Sequence, residues 1–264
     1  VLGVDIPSTA SGPEALRIAL DTLFNHPNVG PFIGRQLIQR LVCSHPSPGY
    51  VQRVATVFNN NGSGQRGDLQ AVLRAILLDT EARTVSTSLT AGKLREPVQR
   101  FVQWARSAKV SSPTSLWNVG NLSDPATRLG QSPLRSGSVF NFFRPGYVPP
   151  QPAFAAQGVT APEFQLLNES TVAGYLNFMQ TVIAAGIGEC KADYTLEVEQ
   201  AYDASALVDR WALWLAAGNL SSVTLATIKT AVASLSSATE ASRLLRVQAT
   251  ILLVMASPEY QIQR

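Results

Sequence analysis

The sequence predicts an all-α fold, a compact multi-helical array that carries one long, ordered segment rich in proline and aromatic residues. Three observations predict it. Apolar residues recur at three- and four-residue spacing along most of the chain, a capping side chain or a helix-opening proline stands ahead of several of these stripes, and short turns join them.

The first helix is expected after Ser11-Gly12, with Pro13 and Glu14 in its first turn and Leu16, Leu20, Leu23 and Phe24 as one buried stripe. Asn25-His26-Pro27-Asn28 breaks it. Pro31 opens a second helix in which Ile33, Leu37 and Leu41 recur at four-residue intervals while Arg35, Gln39 and Arg40 face solvent, so that the pair reads as an αα-hairpin. Ser47-Pro48 is a cap followed by a first-turn proline, and the helix it starts buries Val51, Val54, Val57 and Phe58 before Asn59 to Gly64 stop it. Asp68 starts a fourth helix whose Leu69, Val72, Leu73, Ile76 and Leu77 form the clearest amphipathic pattern, fraying into a turn over Asp79 to Arg83. A fifth begins near Pro97 with Val98, Phe101, Val102 and Trp104.

Between 111 and 162 eight prolines forbid long helices and central strands. The aromatics there, Trp117, Phe140, Phe142, Phe143, Tyr147 and Phe154, predict a segment pinned to the core. Helicity resumes at Glu163 and runs from Val172 to Ile183 until Gly186. Asp203 caps a helix with Leu207, Val208, Trp211, Leu213 and Trp214. A shorter one follows with Leu225, Ile228, Val232 and Leu235, and Thr239-Glu240 precede the last, which reaches Pro258. Eight or nine helices in a single domain over 1–264 are expected.

Composition narrows the function classes. Apolar residues make up 45% of the 264 and charged residues only 15%, which leaves much surface to be clothed by neutral polar groups or covered by something else. The net charge is +3, with the basic residues scattered. Nucleic acid as a partner is therefore not expected, since a patch from Arg35, Arg40, Arg95 and Arg100 is explained by solvated faces and helix ends. The oiliest runs, Trp211 to Ala217 and Ile251 to Ala256, fall short of the roughly 18 residues a transmembrane segment requires. Val1 to Ile6 is not the start of a signal peptide, so the chain reads as processed or trimmed. Cys43 and Cys190 are the only cysteines. Too few for a structural zinc site, they are open to one long-range disulfide or to two free thiols.

The run Leu23-Phe24-Asn25-His26-Pro27-Asn28-Val29-Gly30-Pro31-Phe32-Ile33, continued by Arg35-Gln36-Leu37-Ile38-Gln39-Arg40-Leu41, resembles the bacterial family of uncharacterised proteins known as domain of unknown function 1800. Gly67-Asp68-Leu69, Gly92 to Pro97, Ser138 to Pro145, Ala161 to Gln165 and Met255 to Tyr260 carry the same resemblance, in one order and across essentially the whole chain. The resemblance implies the C-terminal portion of a longer protein, a periplasmic or extracellular setting, and a partner that is either a second protein or the N-terminal portion. It implies no reaction.

Candidate sites are few. His26 and His45 each precede a proline in a turn and suit local backbone geometry; with no metal-ligand spacing around them, neither a metal nor a cofactor is expected. No Gly-x-Ser-x-Gly elbow and no phosphate loop is present, and Asn59 to Gly64 reads as a helix connection. Arg95, Glu96, Arg144 and Glu163 stand out because each charge is set among prolines or aromatics, with Trp117 and Tyr147 nearby in the irregular segment. If they converge, they pin that segment through a buried ionic network or recognise an anionic or carbohydrate ligand. Trp211 and Trp214 share a helix face and read as core. The function expected is that of an exported binding or scaffolding protein in a larger assembly. The alternative is a hydrolase or polysaccharide-active enzyme whose cleft a partner or missing portion completes.

Overall fold

Side-chain caps decide where the helices begin. In the computed structural model, which describes residues 2–84, 88, 90–139 and 141–264, Ser47 Oγ accepts the amide of Tyr50 at 3.1 Å. Asp68 Oδ1 accepts those of Gln70 and Ala71, and Asp203 Oδ1 those of Ser205 and Ala206. Thirteen α-helices, one 3-10 helix and a two-stranded sheet make up the regular structure among the described residues, so the fold is all-α as expected.

The chain divides into two compact units, one up to Gly92 with Arg264, the other Lys93–Gln263. The first holds α1 (Gly12–Phe24), α2 (Val29–Leu41), α3 (Pro48–Asn59), α4 (Leu69–Leu78) and the single turn α5 (Thr80–Arg83). Helices α2, α3 and α4 pack pairwise around Ile38, Tyr50, Val54, Phe58, Val72 and Ile76. The Tyr50 hydroxyl donates to the carbonyl of Ile76 at 2.7 Å and so ties α3 to α4. Close approach of α2 to α3 depends on missing side chains. A Cβ on Gly34 would stand 3.0 Å from Val54 Cγ1, and one on Gly30 3.1 Å from Asn59 Oδ1.

Two expected faces are corrected here. The stripe on α1 is not buried: Leu16, Leu20, Leu23 and Phe24 are 60%, 54%, 48% and 43% exposed, and α1 buries no residue at all. On α2 the packed face is Gly30, Gly34, Ile38 and Gln39, so Gln39 lies inside and Leu41 outside. Glycines carry no hydrophobic weight in a periodicity count, which rotates the apparent stripe away from the true contact face. For the same reason the expected α1–α2 hairpin gives way to close packing of α2 on α3. What holds the end of α1 is Arg66. Its guanidinium lies over the rings of Phe24 and Phe58 and donates to the Phe24 and His26 carbonyls and to Asn59 Oδ1.

The second unit contains the strand β1 (Lys93–Leu94), α6 (Pro97–Ser107), α7 (Pro152–Gln157), a 3-10 helix (Pro162–Leu166), α8 (Glu169–Ala185), α9 (Thr195–Gln200), α10 (Ala204–Ala216), α11 (Ser222–Ala233), α12 (Glu240–Ala256), α13 (Pro258–Gln261) and β2 (Ile262–Gln263). β1 and β2 pair antiparallel, Lys93 opposite Gln263 and Leu94 opposite Ile262. Helix α12 is central and packs on α8, α9, α10, α11 and α13. Arg246 on it is nearly buried and donates to the carbonyls of Ala201, Tyr202, Ala233 and Leu235, satisfying the C-terminal ends of α9 and α11. Around this lies a core with Trp104, Met179, Trp211 and Ile251 fully enclosed. Trp104 Nε1 donates to the hydroxyl of Tyr194 at 3.0 Å, which donates onward to the Ile183 carbonyl at 3.2 Å.

The irregular stretch contributes Leu122, Leu129 and Phe143 to the buried residues, and Phe154 packs on Phe164. Phe140, named above with its aromatics, lies outside the described residues. At Gly174 on α8 the stretch comes so close that a Cβ would stand 2.5 Å from the Pro125 carbonyl oxygen and 2.7 Å from that of Ala126. Glycine to alanine inside a helix ordinarily stabilises by about 1 kcal/mol. Here the sign should reverse: Gly174→Ala is expected to lower unfolding free energy by about 1–3 kcal/mol in a urea titration, whereas Gly137→Ala, with open space around it, is expected to change little.

Candidate functional site

Charges gathered out of water mark the place where this chain departs most from a plain helical core. Lys93, Glu96 and Glu163 are 4%, 7% and 1% exposed. The chain turns out of β1 into α6 at Pro97, with Glu96 as N-cap residue, and Gln99 reaches back to the Glu96 amide to complete a capping box. Lys93 is three residues earlier. Its ammonium stands 3.2 Å from Glu163 Oε1, at the start of the 3-10 helix, and 3.9 Å from Glu96 Oε1. Gln131, from the irregular stretch, donates its amide to Glu96 Oε2 and accepts the Val98 amide. One cation thus joins two carboxylates that are 67 positions apart in the chain.

Two arginines flank the trio. Arg95 donates to Gln103 Oε1 and to the Leu215 carbonyl, each at 2.8 Å, and lies 4.8 Å from the centre of the Tyr260 ring. Its own amide bonds to the Gln261 carbonyl, next to the sheet. Arg100, 2% exposed, stacks 4.2 Å over the Tyr175 ring and donates to the Arg95 carbonyl. Burial pushes the Tyr175 hydroxyl up to about 12, the charges of Arg100 and Arg95 working the other way, so it stays protonated at neutral pH. Burial likewise raises Tyr260.

Of the residues singled out by sequence, Glu96 and Glu163 are brought together, but by Lys93 and not by an arginine. Arg95 belongs to the same neighbourhood and spends its donors on α6 and α10. Arg144 is exposed, and its contact is a backbone one, its amide donating to Gln165 Oε1. Tyr147 is half-buried and accepts the Ala161 amide through its carbonyl at 2.9 Å. Trp117 stands elsewhere, 53% exposed, with φ of +51° and its neighbour Ser115 at +60°. Its loop is tied down by Glu189, which accepts from the Ser112 and Thr114 hydroxyls, while Ser112 Oγ accepts the Trp117 amide. Cys43 and Cys190 are not joined in a disulfide, and burial followed by the charge of Glu189 raises Cys190.

Sequence reasoning missed Lys93 and Gln131, and it put Arg100 among the arginines of solvated faces and helix ends, whereas Arg100 is buried. A usable signal existed for Arg100: on α6 it shares a face with Pro97 and Trp104, at three- and four-residue spacing. Lysine beside Glu96 offered none, because lysine is taken as exposed unless something pairs with it.

Chemically the trio is a closed ionic contact. The groups that meet in it are a strand end, a helix cap and the return of the irregular stretch. Among the described residues no group of three His, Cys, Asp or Glu is arranged to hold a metal ion. No helix is long and apolar enough to cross a membrane, again among the described residues. The family described as "Protein of unknown function (DUF1800)" matches residues 1–262. No curated protein and no solved structure matches the chain.

Two outcomes test the arrangement. Lys93→Met should cost about 3–5 kcal/mol of stability by leaving buried carboxylates uncompensated, and adding Glu163→Gln should restore part of that loss, giving a coupling of about 0.5–3 kcal/mol in a double-mutant cycle. Additive losses would separate the two side chains energetically. For the Trp117 loop, the Ser112 and Thr114 hydroxyls hold the Glu189 carboxyl below the usual glutamate range. A depressed folded-state value means that its support is present above the unfolded value near 4.3 and is lost as pH falls through the folded one. Ser112→Ala should move the Glu189 titration, followed by carboxyl 13C NMR, upward towards an ordinary glutamate.

Proposed function

Since the chain belongs to the DUF1800 family, we propose that it is an exported binding or scaffolding protein that works within a larger assembly by docking a protein partner. One observation carries this reading: the first unit wears rows of leucines on its outside. Leu16, Leu20 and Leu23 repeat along α1, and Leu69, Leu73 and Leu77 along α4, all between 39% and 60% exposed. Solvated helices ordinarily carry charged residues at such positions, and repeated large apolar side chains at helical spacing are what a partner's helix or groove covers. Low overall charge, 15% of residues, agrees with a surface that is partly covered in use.

The buried ionic trio supports a structural role in preference to catalysis. A general acid or base must reach a substrate or a water, and Glu163 at 1% exposure, bonded to Lys93, is positioned for neither.

Leu20→Glu with Leu73→Glu is the test. Both positions are exposed, so the isolated double variant should unfold within about 0.5 kcal/mol per site of the parent. In native electrophoresis of an envelope extract from the source cell, the parent chain should migrate well above its own mass and the variant should not. A parent chain that runs as a monomer, or a variant that stays in the complex, would overturn the reading, as would recovery of the protein from the cytoplasm alone.

A further inference from the structure

Helix α2 carries the longest of the sequence motifs, and packing explains only half of it. Gly30, Gly34 and Ile38 face α3, where a glycine or a buried side chain is required. Phe32 and Arg35 do not. Three positions apart, they lie side by side on the helix surface, Phe32 is 56% exposed, and Arg35 is exposed as well. Both line a groove of about 630 Å³ to which His45, Pro46, Pro48 and Val51 also contribute. That volume lies within the range of small-ligand sites.

Its chemistry is lopsided. The walls are apolar rings, from Phe32 and three prolines, and the lining residues include one arginine and no aspartate or glutamate. Among the described residues no ion pair involves Arg35. Burial, and then the nearby charge of Arg35, lowers the His45 imidazole from its ordinary value, so at neutral pH Arg35 is the groove's charged group. Asn28 and Gln52 add neutral amides to the lining. An arginine fork beside an apolar wall matches a carboxylate carried next to an apolar side chain.

We propose that this groove binds the C-terminal end of a peptide whose last side chain is apolar, with the terminal carboxylate on Arg35 and the side chain against Phe32 and the prolines. The rows on α1 and α4 contribute none of its lining residues, so this inference and the assembly reading above stand or fall separately.

The test uses the whole chain, 15N-labelled, and two probes: acetyl-Ala-Ala-Leu with a free carboxylate and the same tripeptide as its C-terminal amide. Titration to about 10 mM covers the weak affinity expected of one salt link and one apolar contact. The acid should give saturable shifts centred on Phe32, Arg35 and His45, and the amide should bind at least tenfold more weakly. Arg35→Gln should abolish that preference and Arg35→Lys should keep part of it, with melting temperatures unchanged because the side chain is exposed. Absence of saturable shifts, shifts centred elsewhere, equal binding of acid and amide, or an undiminished preference in Arg35→Gln would each overturn the proposal.

Discussion

One ammonium group, that of Lys93, governs how the larger unit closes. Glu96 and Glu163 are removed from water ahead of α6 and beyond the long irregular stretch that follows it, and two buried carboxylates brought near each other would repel. Placing Lys93 3.2 Å from one and 3.9 Å from the other converts that repulsion into a junction. The same residue lies opposite Gln263 in the sheet, so the beginning and end of the unit meet there too. Geometry, not the number of contacts, makes such an arrangement tolerable, because every charge taken from water must find a partner in protein.

Around that junction the rest of the unit follows ordinary packing rules. Arg246 gives a second instance of the same logic: a guanidinium in the core is acceptable because carbonyls at two helix ends need donors. Arg100 is a third, its charge resting on the Tyr175 ring and its Nε on the Arg95 carbonyl. Arginine is suited to all of these tasks by its planar fork and weak hydration. The core cluster of the first unit is aliphatic and aromatic, with the Tyr50 hydroxyl bonded to the Ile76 carbonyl within it. The unit's distinctive property is outside, in the exposed leucine rows of α1 and α4.

How much of this was legible beforehand depends on the range of the force involved. Ser47, Asp68, Asp203 and Thr239 mark helix starts in the chain itself, and each is found as an N-cap residue. The short helices α7, α9 and α13 escaped because six or four residues carry too little periodicity to read. The pairing of Lys93–Leu94 with Ile262–Gln263 escaped because two-residue strands have no pattern, and their partners are far apart in sequence. In the candidate site, Glu96 and Glu163 stood out as charges in apolar surroundings. Lys93 did not, since only its placement between them distinguishes it from a solvent-facing lysine.

Sequence alone determined the helical character of this protein, its family resemblance and most helix starts, because spacing and caps act within a few residues. Tertiary structure decided which face each helix presents. Leucines on α1 and α4 satisfy a helical stripe whether that stripe meets the core or points away from it, and glycines on α2 mark a contact face that hydrophobicity cannot register. It also decided which charges meet. The pairing of Lys93 with Glu163 spans 70 positions, and no local rule reaches that far; only the packing that brings strand end and 3-10 turn together creates the buried setting in which such a pair is needed.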